Sequence, residues 1–238
     1  PLVSSSAASD VYKRQKLLER NNVYSKDMEH DACGVGLVAS TEGKKSRKVV
    51  EYGIQALKAV WHRGAVDADG KTGDGAGIHV EIPKEFFKEK IEVTGHVYDN
   101  SEICIGMIFL PRNNYEAQES CRTLVEKELT QNDFNIYGWR QVPVNTKVLG
   151  EKAEQTRPEI TQVLFRHNNQ KLSGKPLEIK LYETRRKIEN NVRQNHLDNF
   201  YICSFSSKSI IYKGMFLAEA LADFYTDLAD ERFISRYA

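Results

Sequence analysis

Apolar and polar positions change period several times along the chain, and each change marks an element. Val50, Ile54, Leu57 and Trp61 fall at i, i+4, i+7 and i+11, one face of a helix. That helix is expected to stop at His62-Arg63-Gly64, with basic residues in its last turn and glycine beyond. Ahead of it, residues 33–39 are a short apolar run with two glycines, consistent with a buried strand, and residues 41–45 read as a turn. After a loop rich in Gly and Asp over residues 65–75, Ile78, Val80 and Ile82 alternate with His79 and Glu81. This is the pattern of a half-buried strand, ended by Pro83.

Residues 103–110 predict an apolar strand that stops at Pro111. Ala117, Cys121, Val125 and Leu129 return to helical spacing. Residues 137–144 and 160–165 read as strands, and 181–192 as a charged surface helix. Residues 200–205 and 209–212 read as strands paired about a Ser-Ser-Lys turn, and 217–225 as a short helix. Strands cluster with short connections and show no regular alternation with helices. The expected class is therefore α+β, one domain of largely antiparallel sheets with helices packed outside.

Composition adds exclusions. With 40% hydrophobic and 28% charged residues, the 238-residue chain is neither disordered nor fibrous. A net charge of +1 gives no strong field toward nucleic acid or an anionic membrane. No apolar run approaches the ~18 residues of a membrane span. The four cysteines form no C-x-x-C pair and lack His or Cys neighbours at metal-ligand spacing. They read as reduced thiols in a cytoplasmic or plastid-stromal protein, with no metal site, and Cys104, Cys121 and Cys203 as small buried hydrophobes. Residues 1–15 lack any amphipathic period and resemble a translated cloning adapter, and residues 16–32 are a polar leader.

Three glycine motifs compete for a functional reading. Gly34-Val-Gly36-Leu-Val-Ala39 matches a dinucleotide fingerprint, but it follows a polar leader instead of a strand. Gly64 to Thr72 approaches a phosphate-binding loop. Five residues separate its glycines instead of four, and two aspartates would face the phosphates. Thr72-Gly-Asp-Gly-Ala-Gly77, taken alone, is a flexible turn into the next strand.

The combination is more specific than its parts. Ala32-Cys33-Gly-Val-Gly, a helix ending in His62-Arg63-Gly64-Ala65, and a Gly-Asp-Gly-Ala-Gly-Ile loop together resemble the class II glutamine amidotransferases. Further motifs narrow the resemblance to the glutamate synthase large chains. They are Gly138-Trp-Arg-Gln-Val-Pro-Val144, Leu181-Tyr-Glu-Thr-Arg-Arg186, Phe200-Tyr-Ile-Cys-Ser204, Tyr212-Lys-Gly214 and Asp230-Glu-Arg-Phe233. The resemblance implies an N-terminal-nucleophile fold, a four-layer αββα sandwich over residues 33–238, incomplete at its C-terminal end. It implies removal of leader residues 1–32, so that Cys33 becomes the N-terminal nucleophile. Arg63 and Gly64 would lie beside it, and Asp74 would help shape the L-glutamine pocket. Arg63 also fits a plain helix C-terminal cation, stabilised by the macrodipole.

The resemblance further implies partners and cofactors outside this region: the remainder of a synthase chain, a reductase subunit or ferredoxin, FMN and an iron–sulfur cluster. No cofactor-binding residue is expected within residues 1–238. The family's carboxylate-clamping arginine and oxyanion Asn-Gly pair have no match before residue 238, so this stretch alone is expected to be inactive. The other readings are a class II amidotransferase serving a different pathway, and a non-catalytic fragment. The chemistry favours an N-terminal cysteine: a thiol attacks well only as thiolate, and an α-amine titrating near ~7.7–8.0 serves as general base at neutral pH. While the Ala32–Cys33 bond is intact, that nitrogen is an amide and cannot take a proton.

Overall fold

The computed structural model describes residues 34–60 and 66–238. Helix α1 (Arg47–Ala59) buries Val49, Val50 and Ile54, as its spacing requires. Its expected end at residues 62–64 lies outside the described residues. The chain continues as β1 (Ala76–Glu81), α2 (Lys84–Val93), β2 (Cys104–Leu110), α3 (Tyr115–Gln131) and β3 (Phe134–Gln141). Then follow α4 (Glu151–Thr156), β4 (Glu159–His167), α5 (Gly174–Gln194), β5 (Tyr201–Ser206), β6 (Ser209–Gly214) and α6 (Leu221–Phe224). The strands form two antiparallel sheets, β3-β4-β2-β5 and β1-β6.

Alternation within β2 separates two cores. Cys104, Ile108 and Leu110 join Cys121, Val125 and Leu129 of α3 and Leu177, Leu181, Ile188 and Val192 of α5 in one apolar cluster. Ile105 and Met107 belong to another, shared with Ile78 and Val80 of β1, Ile210 and Tyr212 of β6, and Val50 and Ile54 of α1. The second core carries a polar link. Arg140 of β3 makes a two-pronged contact with Asp227 at 2.8 and 2.5 Å, and a third bond of 2.8 Å to Gln162 of β4. Tyr212 donates to Asp227 at 2.9 Å and accepts from Gln162 at 3.1 Å, so one network joins both sheets. Burial alone would lower the Arg140 pKa, and the paired Asp227 reverses that into a net rise.

Residues 235–238 run alongside β1 in the opposite direction. Glu81 N donates to Ser235 Oγ at 3.0 Å, the Tyr237 ring meets His79, and a Cβ on Gly53 would run into both Ala238 and Ile78. Residues 34–40 pair with that segment in turn: Val38 and Ala238 exchange backbone bonds of 3.0 and 2.8 Å, and Ser40 N reaches Arg236 O at 2.7 Å. Residues 34–40 thus run in the direction of β1, with Gly34 toward the end where β1 starts.

Four expectations need correcting. The described part of the 33–39 run is not a buried strand: it holds one bridge, Ala39 to Tyr237, and leaves Val35 and Leu37 87% and 78% exposed. It has pairing on one side only, which apolar composition does not reveal. Strands β5 and β6 are consecutive but not paired with each other, because β5 bonds β2 and β6 bonds β1. They form an arch between sheets, touching through Cys203 Sγ to Ile211 O and Ile211 N to Ser204 Oγ. Helix α5 starts seven residues before the expected 181 and buries a full apolar face. Pro176 sits in its first turn, where a missing N–H costs nothing. Glu81, expected on the solvent side of its strand, is buried.

Candidate active site

The matching ends of the two sheets enclose a cavity of about 470 Å³. The start of β1, the end of β6, the end of β2, and the starts of β4 and β5 all contribute to it through Ala76, Gly214, Phe109, Ile160 and Tyr201. Its walls are mostly apolar, with Leu149, Phe216 and Phe224 inside and Asp74, Arg157 and Lys213 as the charged groups. Lys213 donates to Tyr201 Oη at 2.7 Å and lies 4.4 Å from the centre of that ring, which fixes both at the rim.

Asp74 reaches this rim because of the glycines around it. Gly75 has φ +133°, a conformation glycine adopts readily and L side chains rarely do. A Cβ on Gly77 would lie 2.7 Å from Lys213 Cβ and 2.9 Å from Tyr212 O, so β1 and β6 approach this closely only without a side chain there. Asp74 is solvent-exposed, with no hydrogen bond or ion pair to another described residue. The loop before it is anchored. Val66 bridges Gly73, and Thr72 is buried, bonded to Asp69 Oδ2 at 2.6 Å. Backbone N–H and hydroxyl donors, Thr72 Oγ1 foremost, hold the Asp69 carboxyl well below the usual range.

Of the residues singled out in the sequence, Asp74 stands at the cavity mouth. Cys33, Arg63 and Gly64 lie outside the described residues. The described chain leading from Cys33 and the end of α1 leading to Arg63 lie close together. A Cβ on Gly36 would contact Ala56 in the last turn of α1 at 3.6 Å. The three described cysteines are poor nucleophiles. Burial pushes the thiols of Cys121 and Cys203 up to about 11, and that of Cys104 higher still. Among the described residues, no three His, Cys, Asp or Glu side chains are grouped to hold a metal, and Cys104 and Cys121 lie in a different core from Cys203. The described donor set therefore does not fit an iron–sulfur cluster. Among the same residues, no helix is long and apolar enough to cross a membrane.

Sequence reasoning missed Phe109 and Arg157 as cavity residues, since they come from a strand and a loop far apart in the chain, and Tyr201 entered only within the Phe200-Tyr-Ile-Cys-Ser204 motif. Lys213 was flagged only within the Tyr212-Lys-Gly214 motif. Thr72 was read only as the start of a flexible turn, and Asp69 only as a carboxylate counting against a phosphate-binding loop.

Residues 33–238 match the model of the family described as "Glutamine amidotransferases class-II". The chain is 56% identical over 230 residues to the "Glutamate synthase [NADPH] large chain" of Azospirillum brasilense, covering 97% of this chain and 15% of that protein. It is 36% identical over 227 residues to the "Ferredoxin-dependent glutamate synthase" of Pyropia yezoensis, covering 94% of this chain and 14% of that protein. It is also 36% identical over 220 residues to the "Glutamate synthase [NADPH] large chain" of Bacillus subtilis (strain 168), covering 91% and 14%. The chain thus spans about one-seventh of the length of these relatives. Its two antiparallel sheets with flanking helices are the N-terminal-nucleophile fold of this class, and the chain belongs to the class II glutamine amidotransferases.

Proposed function

We propose that this chain is the glutaminase portion of a glutamate synthase, releasing ammonia from L-glutamine for amination of 2-oxoglutarate at a site elsewhere in the longer protein. The observation that carries the reading is the family match, which begins at Cys33, the one cysteine with a polar leader before it. In this reading residues 1–32 are a leader, and residues 33–238 are the N-terminal portion of the amidotransferase domain. Loss of the leader frees the Cys33 α-amine, which takes the thiol proton. The sulfur attacks the side-chain amide carbon, ammonia leaves, and water hydrolyses the glutamyl thioester. Arg63 and Gly64 lie beside the nucleophile, and Asp74 shapes the pocket. The approach of Gly36 to Ala56 in the last turn of α1, and the place of Asp74 at the cavity, support this grouping.

FMN and an iron–sulfur cluster belong to the rest of such a protein, where FMN would supply reduction and the cluster electron transfer. The relatives' names point to NADPH or ferredoxin as the electron source, and so to a reductase subunit or ferredoxin as partner. The test is Cys33→Ala in the full-length chain. Glutamine-dependent glutamate formation should vanish while synthesis from added ammonia persists, because the sulfur serves amide cleavage alone. Normal glutamine-dependent rates in that variant would sink the reading, as would an intact Ala32–Cys33 bond in an active preparation.

A further inference from the structure

We infer that Thr72, held by Asp69, is a positioning residue for the glutaminase reaction proposed above, latching the loop that ends at Asp74 onto α4. Thr72 is 2% exposed in a loop whose other residues from Val66 to Lys71 mostly face solvent. Its hydroxyl donates to Asp69 Oδ2 at 2.6 Å and accepts from Ala153 N of α4 at 3.3 Å. Asp69 Oδ1 in turn accepts from the backbone N–H of Lys71 at 2.9 Å and of Thr72 at 2.7 Å.

The fit against α4 is tight. A Cβ on Gly150 would lie 2.2 Å from Asp69 Oδ2 and 2.3 Å from Thr72 Oγ1, so only glycine lets the helix start this close to the loop. Lys152 adds an ion pair to Asp67 at 2.7 Å. On the opposite side, a Cβ on Gly73 would meet Phe216 O at 2.7 Å. The loop is therefore held between α4 and the residues after β6, both of which line the cavity through Ala153 and Phe216.

A purely structural latch would be expected to secure apolar surface, and this loop contributes little: Val66 is 53% exposed. What the loop carries is its far end. It ends at Asp74, so its placement sets where that carboxylate stands at the cavity mouth. A residue that holds a binding surface in place without touching the reacting atoms shows its loss as a raised KM with kcat unchanged.

The inference rests on the proposed glutaminase reading, and the experiment separates the two. In the full-length chain, Thr72→Val keeps the shape and removes the hydroxyl. KM for glutamine should rise about 3- to 10-fold, the scale of one net hydrogen bond. kcat at saturating glutamine should stay within about twofold, the signature of lost binding. Thr72→Ser, which keeps the hydroxyl, should restore KM. A fall in kcat in Thr72→Val, or a KM that Thr72→Ser fails to restore, would overturn the inference. An unchanged KM in Thr72→Val, with Cys33→Ala inactive toward glutamine, would also overturn it while leaving the glutaminase reading in place. Glutamine turnover in Cys33→Ala would overturn both.

Discussion

Beneath α3 and α5, Cys121, Val125, Leu181 and Phe165 build an apolar cluster at 0% exposure, while the core shared by the sheets carries Arg140, Asp227, Tyr212 and Gln162 among its hydrophobic groups. The difference follows from what each region must hold. Helices on a sheet need only interdigitate, and volume decides their spacing. Two sheets that stay packed along their length yet part at one end around a cavity need their separation fixed. The Arg140–Asp227 pair, reached by Tyr212 from one sheet and Gln162 from the other, supplies directional contacts that hydrophobic packing lacks.

The largest effect should come from breaking that pair. Asp227→Ala leaves the Arg140 charge, whose side chain is 14% exposed, without its carboxylate. A loss of about 3–5 kcal/mol is expected, measured as a lower urea midpoint. The double variant Arg140→Met with Asp227→Leu should recover most of that loss, because it removes both charges and refills the space. If the double variant were as unstable as the single, the network would be holding the sheets by more than charge compensation.

The helix-covered core should respond to volume alone. Leu181 is fully buried between α5 and its sheet, and Leu181→Ala should cost about 2–5 kcal/mol, scaled by the cavity left behind. KM for glutamine in the full-length chain should be unchanged, since this core lies on the face of the sheet opposite the one shared with β1 and β6. A rise in KM comparable to that of Thr72→Val would show that the two cores are mechanically coupled, and the contrast between them would fail.

These two regions also differed in how far the sequence revealed them. The cluster under α3 was readable from Cys121, Val125 and Leu129, because a helix on a sheet imprints its period on one local stretch. Helix α5 was legible only as a charged surface helix over residues 181–192: charged residues hid its buried face, and Pro176 hid its first turns. The inter-sheet region was not legible. Arg140, Asp227, Gln162 and Tyr212 are spread over 87 residues and share no period, and the arch of β5 over β6 looks locally like a hairpin. Short α4, with Ala153 its one buried residue, left no apolar signature, though it closes the cavity wall. At the candidate site, the glycines around Asp74 were visible as a motif. Their physical reason, the close approach of β6 to β1 at Gly77 and of Phe216 to Gly73, is a long-range fact.

The smallest effect concerns Glu81, where the alternation of β1 predicted an exposed carboxylate. The structure buries it beside Arg236, whose backbone N–H and Nη2 reach it at 2.7 and 2.8 Å, with Lys45 Nζ at 3.6 Å. Burial by itself would raise the Glu81 pKa, but Arg236 and Lys45 outweigh it, so the net value falls below the ordinary 4.5. A carboxyl with a lowered folded pKa binds its proton more readily in the unfolded chain. Its contribution is therefore complete above about pH 4.5 and is lost as the pH falls through the lower folded value. The Arg236 side chain is 53% exposed, so solvent screens the pair and the contribution is about 0–1 kcal/mol. Urea midpoints compared at pH 7 and pH 3 should fall less in Glu81→Gln than in the unmodified chain. The Asp227→Ala loss should still be large at pH 7, where Glu81 is ionised. If Glu81→Gln instead matched Asp227→Ala in cost at pH 7, the rim of β1 would be as tightly constrained as the centre of the inter-sheet core, and the polar link would not be confined to Arg140 and its partners.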